Sequence, residues 1–277
     1  MSSIETERFR QEVLAFYRTS GRKFPWRETS DPYAIAVSEF MLQQTRTEGV
    51  EKKFLPFLTQ FPDPRTLAKA PFSAVLHQWK GLGYNRRALY LQEFARKIVE
   101  EWEWKVPDDP KILIQFCGIG SYTAHAIPAF AYNRPYVFME TNIRRVFLHF
   151  YFLDREQVKD KDIFPLIELT LDRENPREWY YALMDYGAHL AKAFPNPNRK
   201  SAHYTRQPSF EGSYRQLRGR ILSILLEEKR PQNAEQISKR TAFLFPQTLK
   251  ALQDLTHEGF IAETEGEYRI REDHIEE

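Results

Sequence analysis

The stretch Phe116-Cys117-Gly118-Ile119-Gly120-Ser121-Tyr122-Thr123-Ala124 decides how the rest of the chain is read. Two glycines, at i and i+2, stand between a short apolar segment and a second helical one over 122–132. Glycine permits a tight turn and close backbone approach, and the helix that follows offers unpaired N–H groups at its start. Such a turn can hold a phosphate without reading a base, as gripping a nucleic-acid backbone requires. A plain connection between two helices fits the same letters, so the neighbouring segments must decide.

Helical periodicity dominates on both sides. Ser2 with Glu5 reads as a capping box, and Phe9, Val13, Leu14 and Tyr17 recur at helical spacing. Pro32 opens a second helix through Ala36, Phe40 and Leu42 to about Thr45. Further amphipathic stretches cover about 48–60, 72–79, 86–103, 110–116, 140–151, 161–172 and 177–193, with Phe61-Pro-Asp-Pro and Val106-Pro-Asp-Asp-Pro as loops. The pattern predicts a mainly α protein whose helical body spans 1–195, followed by a basic linker over 196–213. From 214 the pattern changes. Leu217, Ile221, Ile224 and Leu225 form one stripe, Ala234 to Arg240 a short helix, and Pro246 opens a third with Leu249, Leu252 and Leu255. FIAETEGEYRI then alternates around a Glu265-Gly266 turn. Three helices and a hairpin describe a winged helix over 214–277, a module that serves protein partners as well as DNA.

The net charge of +2, from 40 basic and 38 acidic residues, argues against a nucleic-acid partner only as a sum. From Asp254 onward nine acidic residues face Arg269 and Arg271, which leaves residues 1–253 at +9. Six basic residues and one acid, Glu211, lie between Arg199 and Arg220, while the acidic end reads as a solvated tail. One cysteine, Cys117, excludes a disulfide framework and a four-thiolate cluster within one chain. His125, His149, His189 and His203 show no HxxxH or HExxH pattern, so no metal site is expected. No apolar run approaches the roughly 20 residues of a membrane helix, and MSSIETERFR is no signal peptide. A soluble, cytoplasmic protein is expected.

Two carboxylates stand in apolar surroundings: Glu39 in Ser38-Glu-Phe-Met-Leu-Gln-Gln-Thr and Glu140 in Phe138-Met-Glu-Thr-Asn-Ile-Arg-Arg-Val. Such a pair suits glycosidic-bond chemistry. One carboxyl, desolvated, can act as acid while the other stays charged and stabilises an oxocarbenium-like centre. Helix capping is the ordinary alternative for each.

PWRETSDPYAIAVSEFMLQQT, WKGLGYNRRA, FCGIGSYTAHAI and FMETNIRRV, in this order, carry a resemblance. The chain resembles the helix-hairpin-helix DNA glycosylases, and most closely the MutY-type adenine DNA glycosylases, over about residues 8–193. The resemblance implies a two-lobed all-helical body and a monomer that flips a base out of duplex DNA and hydrolyses its N-glycosidic bond. It implies that Glu39 is the catalytic acid that protonates adenine N7, and that Gln43, with Gln44 and Thr45 beside it, fills the gap left by the flipped nucleotide. It places Tyr84 near the lesion strand and makes Gly118, Ile119 and Gly120 the phosphate-binding hairpin, whose carbonyls can hold a monovalent cation. Tyr122 occupies the position where bifunctional relatives carry a nucleophilic lysine, which implies a monofunctional hydrolase.

The chain departs from the family's pattern in four places. Glu140 stands where the family has an aspartate. No cysteines follow Met184-Asp-Tyr-Gly-Ala, where most relatives bind an iron–sulfur cluster, so no cofactor is expected to be required. Asn85 replaces a second tyrosine after Tyr84, and the winged helix stands in place of the family's domain for reading 8-oxoguanine. The expected substrate is double-stranded DNA with a mispaired adenine opposite 8-oxoguanine or guanine, with Lys250, Gln247, Thr248 and the 199–220 run adding duplex contacts. A thymine or uracil mismatch glycosylase and a non-catalytic lesion-binding protein are the alternatives.

Overall fold

The computed structural model describes residues 3–204, 209–228 and 230–272. Along the chain come α1 (Ser3–Ser20), α2 (Pro32–Leu42), α3 (Thr47–Gln60), α4 (Pro64–Lys69), α5 (Phe72–Trp79), α6 (Arg86–Glu101) and α7 (Pro110–Leu113). Then follow α8 (Ser121–Tyr132), α9 (Thr141–Tyr151), α10 (Asp160–Thr170) and α11 (Pro176–Ala193). The C-terminal part holds α12 (Tyr214–Glu227), β1 (Gln232–Asn233), α13 (Ala234–Thr241), α14 (Phe245–His257), β2 (Ile261–Thr264) and β3 (Glu267–Ile270). Helix α4 lies where the prolines after Phe61 read as a loop. Asp63 caps it by accepting the Thr66 N–H at 2.8 Å, and Pro64 takes its first position, where a missing N–H costs nothing.

Backbone packing divides the chain into two compact units that alternate along the sequence: Met1–Glu39 with Val106–Arg206, and Phe40–Lys105 with Gln207–Glu277. In the first, α9 lies closely against α11. Gly187 allows it, because a Cβ there would fall 2.2 Å from the Asn142 carbonyl oxygen. Phe9, Phe147, Trp179 and Tyr180 fill the core, and Phe138 stacks on Tyr180 at 3.8 Å between centroids. Asp185, buried on α11, ties down the segment after α1. It accepts from the Arg22 N–H and Nε, each at 2.7 Å, and from both Arg27 terminal nitrogens at 2.9 Å. Burial alone would raise its pKa, but the hydrogen bonds and charge of Arg27, joined by those of Arg22, outweigh it and hold the carboxyl below its ordinary value.

The stretch expected as a linker opens with packed structure on this unit. Pro197–Lys200 forms a 3₁₀ turn, Asn198 donates through Nδ2 to the Thr141 carbonyl at 3.1 Å, and Ser201 bridges to Val158 in parallel. Turn-forming residues therefore mark a compact segment here, because its backbone groups find partners on neighbouring elements.

In the second unit, Phe54, Phe57, Trp79 and Phe94 are buried, as are Leu217, Ile221, Leu252 and Phe260 of the C-terminal part. Phe72 meets Phe260 at 5.9 Å, Lys80 pairs with Glu227 at 2.7 Å, and Arg86 with Glu258 at 2.6 Å. The three strands order as β1-β3-β2, all antiparallel, with Ile261 opposite Ile270 and Glu263 opposite Tyr268. Glu265 and Gly266, both with positive φ (54° and 80°), make the tight turn that a two-residue hairpin favours. Strand β1, two residues long, carries no alternation that a sequence could show. The acidic end is not a free tail from its start: Glu258 also takes a bidentate pair from Arg218 at 2.9 and 2.5 Å. Ser2, the linker's 205–208 and the acidic residues from 273 to 277 lie outside the described residues.

Removing the carboxylate at the centre of the Arg22–Arg27 cluster leaves buried positive charge unpaired. Asp185→Ala should lower stability by about 3–5 kcal/mol at neutral pH, read from urea unfolding by tryptophan fluorescence. Because the folded-state pKa of Asp185 is depressed, its contribution is present above the ordinary carboxylate value and lost as pH falls through the depressed one. The wild type and the variant should therefore converge in acid.

Candidate active site

Three of the residues singled out from sequence come together in the first unit. Glu39 sits in the last turns of α2, is 4% exposed, and receives a hydrogen bond from the Tyr122 hydroxyl. Its Oε2 is buried without a hydrogen-bond partner among the described residues. Tyr122, in the first turn of α8, packs edge-on against Phe138 at 5.6 Å, two residues before Glu140. Burial pushes the Glu39 carboxyl up to about 7, which the Tyr122 hydrogen bond moderates and the charge of Glu140 reinforces. The Tyr122 phenol is raised well above its ordinary value, by burial first and then by the two carboxylates, so it stays a hydrogen-bond donor.

Glu140 is the N-cap of α9. Its Oε1 accepts the N–H groups of Asn142 and Ile143 at 2.7 and 2.8 Å, and its Oε2 accepts Asn142 Nδ2 at 3.2 Å. Burial raises its pKa, against those backbone bonds and the charges of Arg145 and Arg144. Arg145 is anchored in turn on the Asn142 side chain and the Gly187 carbonyl, each at 2.7 Å. Capping therefore describes Glu140, whereas Glu39, at the far end of its helix, caps nothing.

The glycine turn belongs to the same unit. Phe116 and Ile119 are buried anchors, Gly118 takes φ +78°, and Gly120 precedes α8 with no side chain capping that helix. At Gly120 φ is −91° and a Cβ would meet nothing within 4 Å. Among the described residues nothing requires glycine there, and the open space suits close approach by a ligand.

Gln43, Gln44, Thr45 and Tyr84 belong to the second unit, where a residue the sequence reading missed gathers them. Arg87 is buried and donates to the Phe40, Met41, Leu82 and Gly83 carbonyls at 2.8, 2.7, 3.3 and 2.8 Å and to the Thr45 hydroxyl at 2.9 Å. It fixes the end of α2 and the Gly81–Tyr84 loop as one piece, and both Gln44 (φ 54°) and Tyr84 (φ 47°) are held in left-handed backbone. Burial lowers its pKa to about 10, still charged at neutral pH. One signal was available: Arg87 stands on the buried stripe of α6 with Leu91, Phe94 and Ile98. Lys250 is exposed on α14, apart from the residues that Arg87 gathers.

The fold and this site define a helix-hairpin-helix protein with a paired-carboxylate centre, and known proteins agree. Residues 37–164 match the family described as the HhH-GPD superfamily base excision DNA repair protein. The adenine DNA glycosylase of Mycobacterium tuberculosis (strain ATCC 25618 / H37Rv) is 32% identical over 278 residues, covering 91% of this chain and 90% of that protein. A thymine/uracil-DNA glycosylase of Methanothermobacter thermautotrophicus is 29% identical over 65% of this chain and 83% of its own. The solved structure of a thermostable thymine-DNA glycosylase, 28% identical, aligns with a TM-score of 0.60 over 66% of this chain and 86% of its own. The chain belongs to the HhH-GPD superfamily of base excision DNA repair proteins. The mainly α-helical, helix-hairpin-helix fold expected from the sequence is the fold it has.

The environment of Glu39 sets a stability test that needs no substrate. A carboxyl raised in the folded state to about 7 stabilises the fold below its ordinary value near 4.5, and that contribution is lost as pH rises to about 7. Glu39→Gln should therefore be the more stable protein at pH 8, by up to about 3 kcal/mol, with the difference vanishing near pH 4.5. A pH series of urea midpoints for both proteins reads it, and parallel curves would mean an unperturbed Glu39.

Proposed function

We propose that this DNA glycosylase removes adenine mispaired with 8-oxoguanine or guanine, by monofunctional hydrolysis. The observation that carries the reading is Glu39: buried, raised to about 7, held by Tyr122, with one oxygen unpartnered beside a second carboxylate. At neutral pH about half of such a group carries its proton, a poise that suits general acid work. In this reading Glu39 gives its proton to adenine N7. The C1′–N9 bond breaks, with its electron pair leaving on the base. Glu140, kept anionic by the α9 N–H groups and Arg145, faces the sugar cation. Water then adds to C1′, and its proton returns to Glu39. Tyr122 orients Glu39 and offers no amine, so no Schiff base forms there.

Gly118, Ile119 and Gly120 serve as the backbone grip on a phosphate, with Gln43, Gln44, Thr45 and Tyr84 against the distorted duplex and Lys250 as an outer phosphate contact. The hairpin carbonyls would hold a monovalent cation, which when bound adds positive charge beside that phosphate. An iron–sulfur cluster does not fit the donor set, because the chain's one cysteine, Cys117, is exposed on the hairpin itself. No helix of the described residues is long and apolar enough to cross a membrane, and the proposed place of action is the cytoplasm, as a monomer on DNA.

The 28% identity to a thymine-DNA glycosylase of known structure supports a second reading, in which thymine or uracil is the excised base. Pyrimidines lack N7, so Glu39 would then act on water or a carbonyl oxygen. Single-turnover assays on duplexes carrying single A, T, U or hypoxanthine mismatches separate the two, with release expected for adenine. Glu39→Gln should abolish release while leaving duplex affinity within about twofold of wild type; release that survives the substitution would refute the assignment. The rate should fall about tenfold per pH unit above about 7, as Glu39 loses its proton. It should also fall in acid, at a pH above the ordinary carboxylate range, as Glu140 gains one. Gly120→Ala should unfold like wild type but bind duplex at least about tenfold more weakly, since its methyl group enters the space of the phosphate. Unchanged binding would turn the hairpin into a connector.

A further inference from the structure

The turn that follows α11 touches α9 at both ends. Asn198, 5% exposed in the 3₁₀ turn Pro197–Lys200, donates through Nδ2 to the carbonyl of Thr141, the first residue of α9. Two residues on, Lys200 reaches with Nζ to the carbonyls of Phe152 and Leu153, just past the last turn of that helix. The Val158 N–H donates to the Lys200 carbonyl at 2.9 Å and the Ala202 N–H to that of Val158 at 3.0 Å, which anchors this strap in its unit. The turn is also tied within itself: the Asn198 N–H donates to the Asn196 side chain at 3.1 Å, and its carbonyl accepts the Ser201 N–H at 3.0 Å.

What sits at the start of α9 gives the first of these contacts a use. A helix start leaves N–H groups without partners, and here those of Asn142 and Ile143 hold the Glu140 carboxylate at 2.7 and 2.8 Å. Asn142 adds its Nδ2 at 3.2 Å, while its Oδ1 accepts Arg145 Nη1 at 2.7 Å. Thr141 stands between the anion and these donors. A helical carbonyl has two lone pairs and spends one on the residue four further on, so a side chain outside the helix can take the other. Asn198 does so, and in that pose its own Oδ1 is buried without a partner among the described residues. A buried polar atom left unpaired works against folding. A leucine of similar shape would fill the space without that cost, so packing alone does not call for asparagine.

We propose that Asn198 is a positioning residue for base release: by holding the Thr141 carbonyl it fixes the first turn of α9, and with it the N–H groups that aim the Glu140 carboxylate at the sugar. The inference rests on the proposed role of Glu140 and adds to it a residue 57 positions from its contact, which itself touches no substrate. The charged groups around Glu140 are otherwise held. On its own helix Arg144 pairs with Asp160 at 2.8 Å, and Arg145 is bound to Asn142 and Gly187. Glu39 of α2 and Tyr122 of α8 feel its charge, and on α11 Asp185 is turned to Arg22 and Arg27. Lys200 of the turn lies at the opposite end of α9. None of these contacts involves the Asn198 amide, so its removal acts on Glu140 through the first turn.

The test uses the full chain and the variants Asn198→Leu and Lys200→Met, each of which frees one end of the strap. Single-turnover base release at saturating enzyme is followed across pH. In Asn198→Leu the acid limb, where Glu140 gains its proton, should move to higher pH by about one unit, because a carboxylate with loosened donors is easier to protonate. The alkaline limb set by Glu39 and the duplex affinity should stay as in wild type. Lys200→Met should lower the melting temperature and move neither limb. Asn198→Ser, one bond shorter than the reach to Thr141 requires, repeats the comparison if the leucine variant does not fold.

A second readout needs no turnover. In protein labelled with carbon-13 at the glutamate carboxyl, the Glu140 resonance, recognised by its loss in Glu140→Gln, should titrate at higher pH in Asn198→Leu than in wild type. An acid limb that stays in place while the melting temperature falls, or an equal move in Lys200→Met, would make Asn198 a structural tie and overturn the proposal. If no duplex of the mismatch panel loses a base while the Glu140 resonance still moves, the catalytic reading falls and the positioning of the Glu140 carboxylate by Asn198 stands. A resonance that does not move would overturn that as well.

Discussion

The removal of one carboxyl group from water is the constraint around which the site is arranged. Glu39 is buried with one phenol for company, and holding it there as an anion at neutral pH works against folding. The surrounding structure must supply that free energy, and it does so with apolar packing and well-satisfied polar groups at some remove from the chemistry. Gly187 lets α11 approach α9 to backbone contact, Phe138 stacks on Tyr180, and Asp185 gathers Arg22 and Arg27.

Three carboxylates of one unit show how environment assigns role. Asp185 accepts four hydrogen bonds from two arginines, and despite burial its pKa is depressed. Glu140 accepts two backbone N–H groups at a helix start, and burial still raises its pKa. Glu39 has the fewest donors, and burial prevails strongly. The order follows the number and charge of the donors offered to each anion. In the proposed function the first is a structural tie, the second an anion held ready, and the third a proton carrier. Glu140 turns its carboxylate back to the start of its own helix, where the Asn142 and Ile143 N–H groups fix it.

Much of this was legible in the sequence because it rests on local patterns. Helix positions followed apolar periodicity, the Glu265-Gly266 turn announced the hairpin, and the glycines at 118 and 120 announced the other. Elements without a local pattern were missed: β1 is two residues long, and α4 begins at a proline that also punctuates loops. Glu39 and Glu140 could be named as a pair, but Tyr122, whose hydroxyl holds Glu39, entered through resemblance alone. Arg87 and Arg215 stayed hidden for a different reason. An arginine's role depends on which carbonyls or rings reach it across the fold, and those neighbours lie 46 residues away for Arg87 and 131 for Arg215.

The same point changes what the net charge means. A sum near zero conceals a division of labour among arginines in the second unit. Two are neutralised by one glutamate, one is consumed by backbone carbonyls, and one keeps its donors between two rings. The acidic C-terminal part takes part in that division, since Glu258 pairs with both Arg86 and Arg218. Four unpaired arginines around the pocket that Gln43, Gln44, the Gly81–Arg87 loop and α12 enclose would attract any polyanion. With three arginines committed, a single fork is left whose plane two rings set. The C-terminal part thus shapes the pocket from within its own unit: α12 forms one wall, and the loop that Arg87 holds in place forms the other.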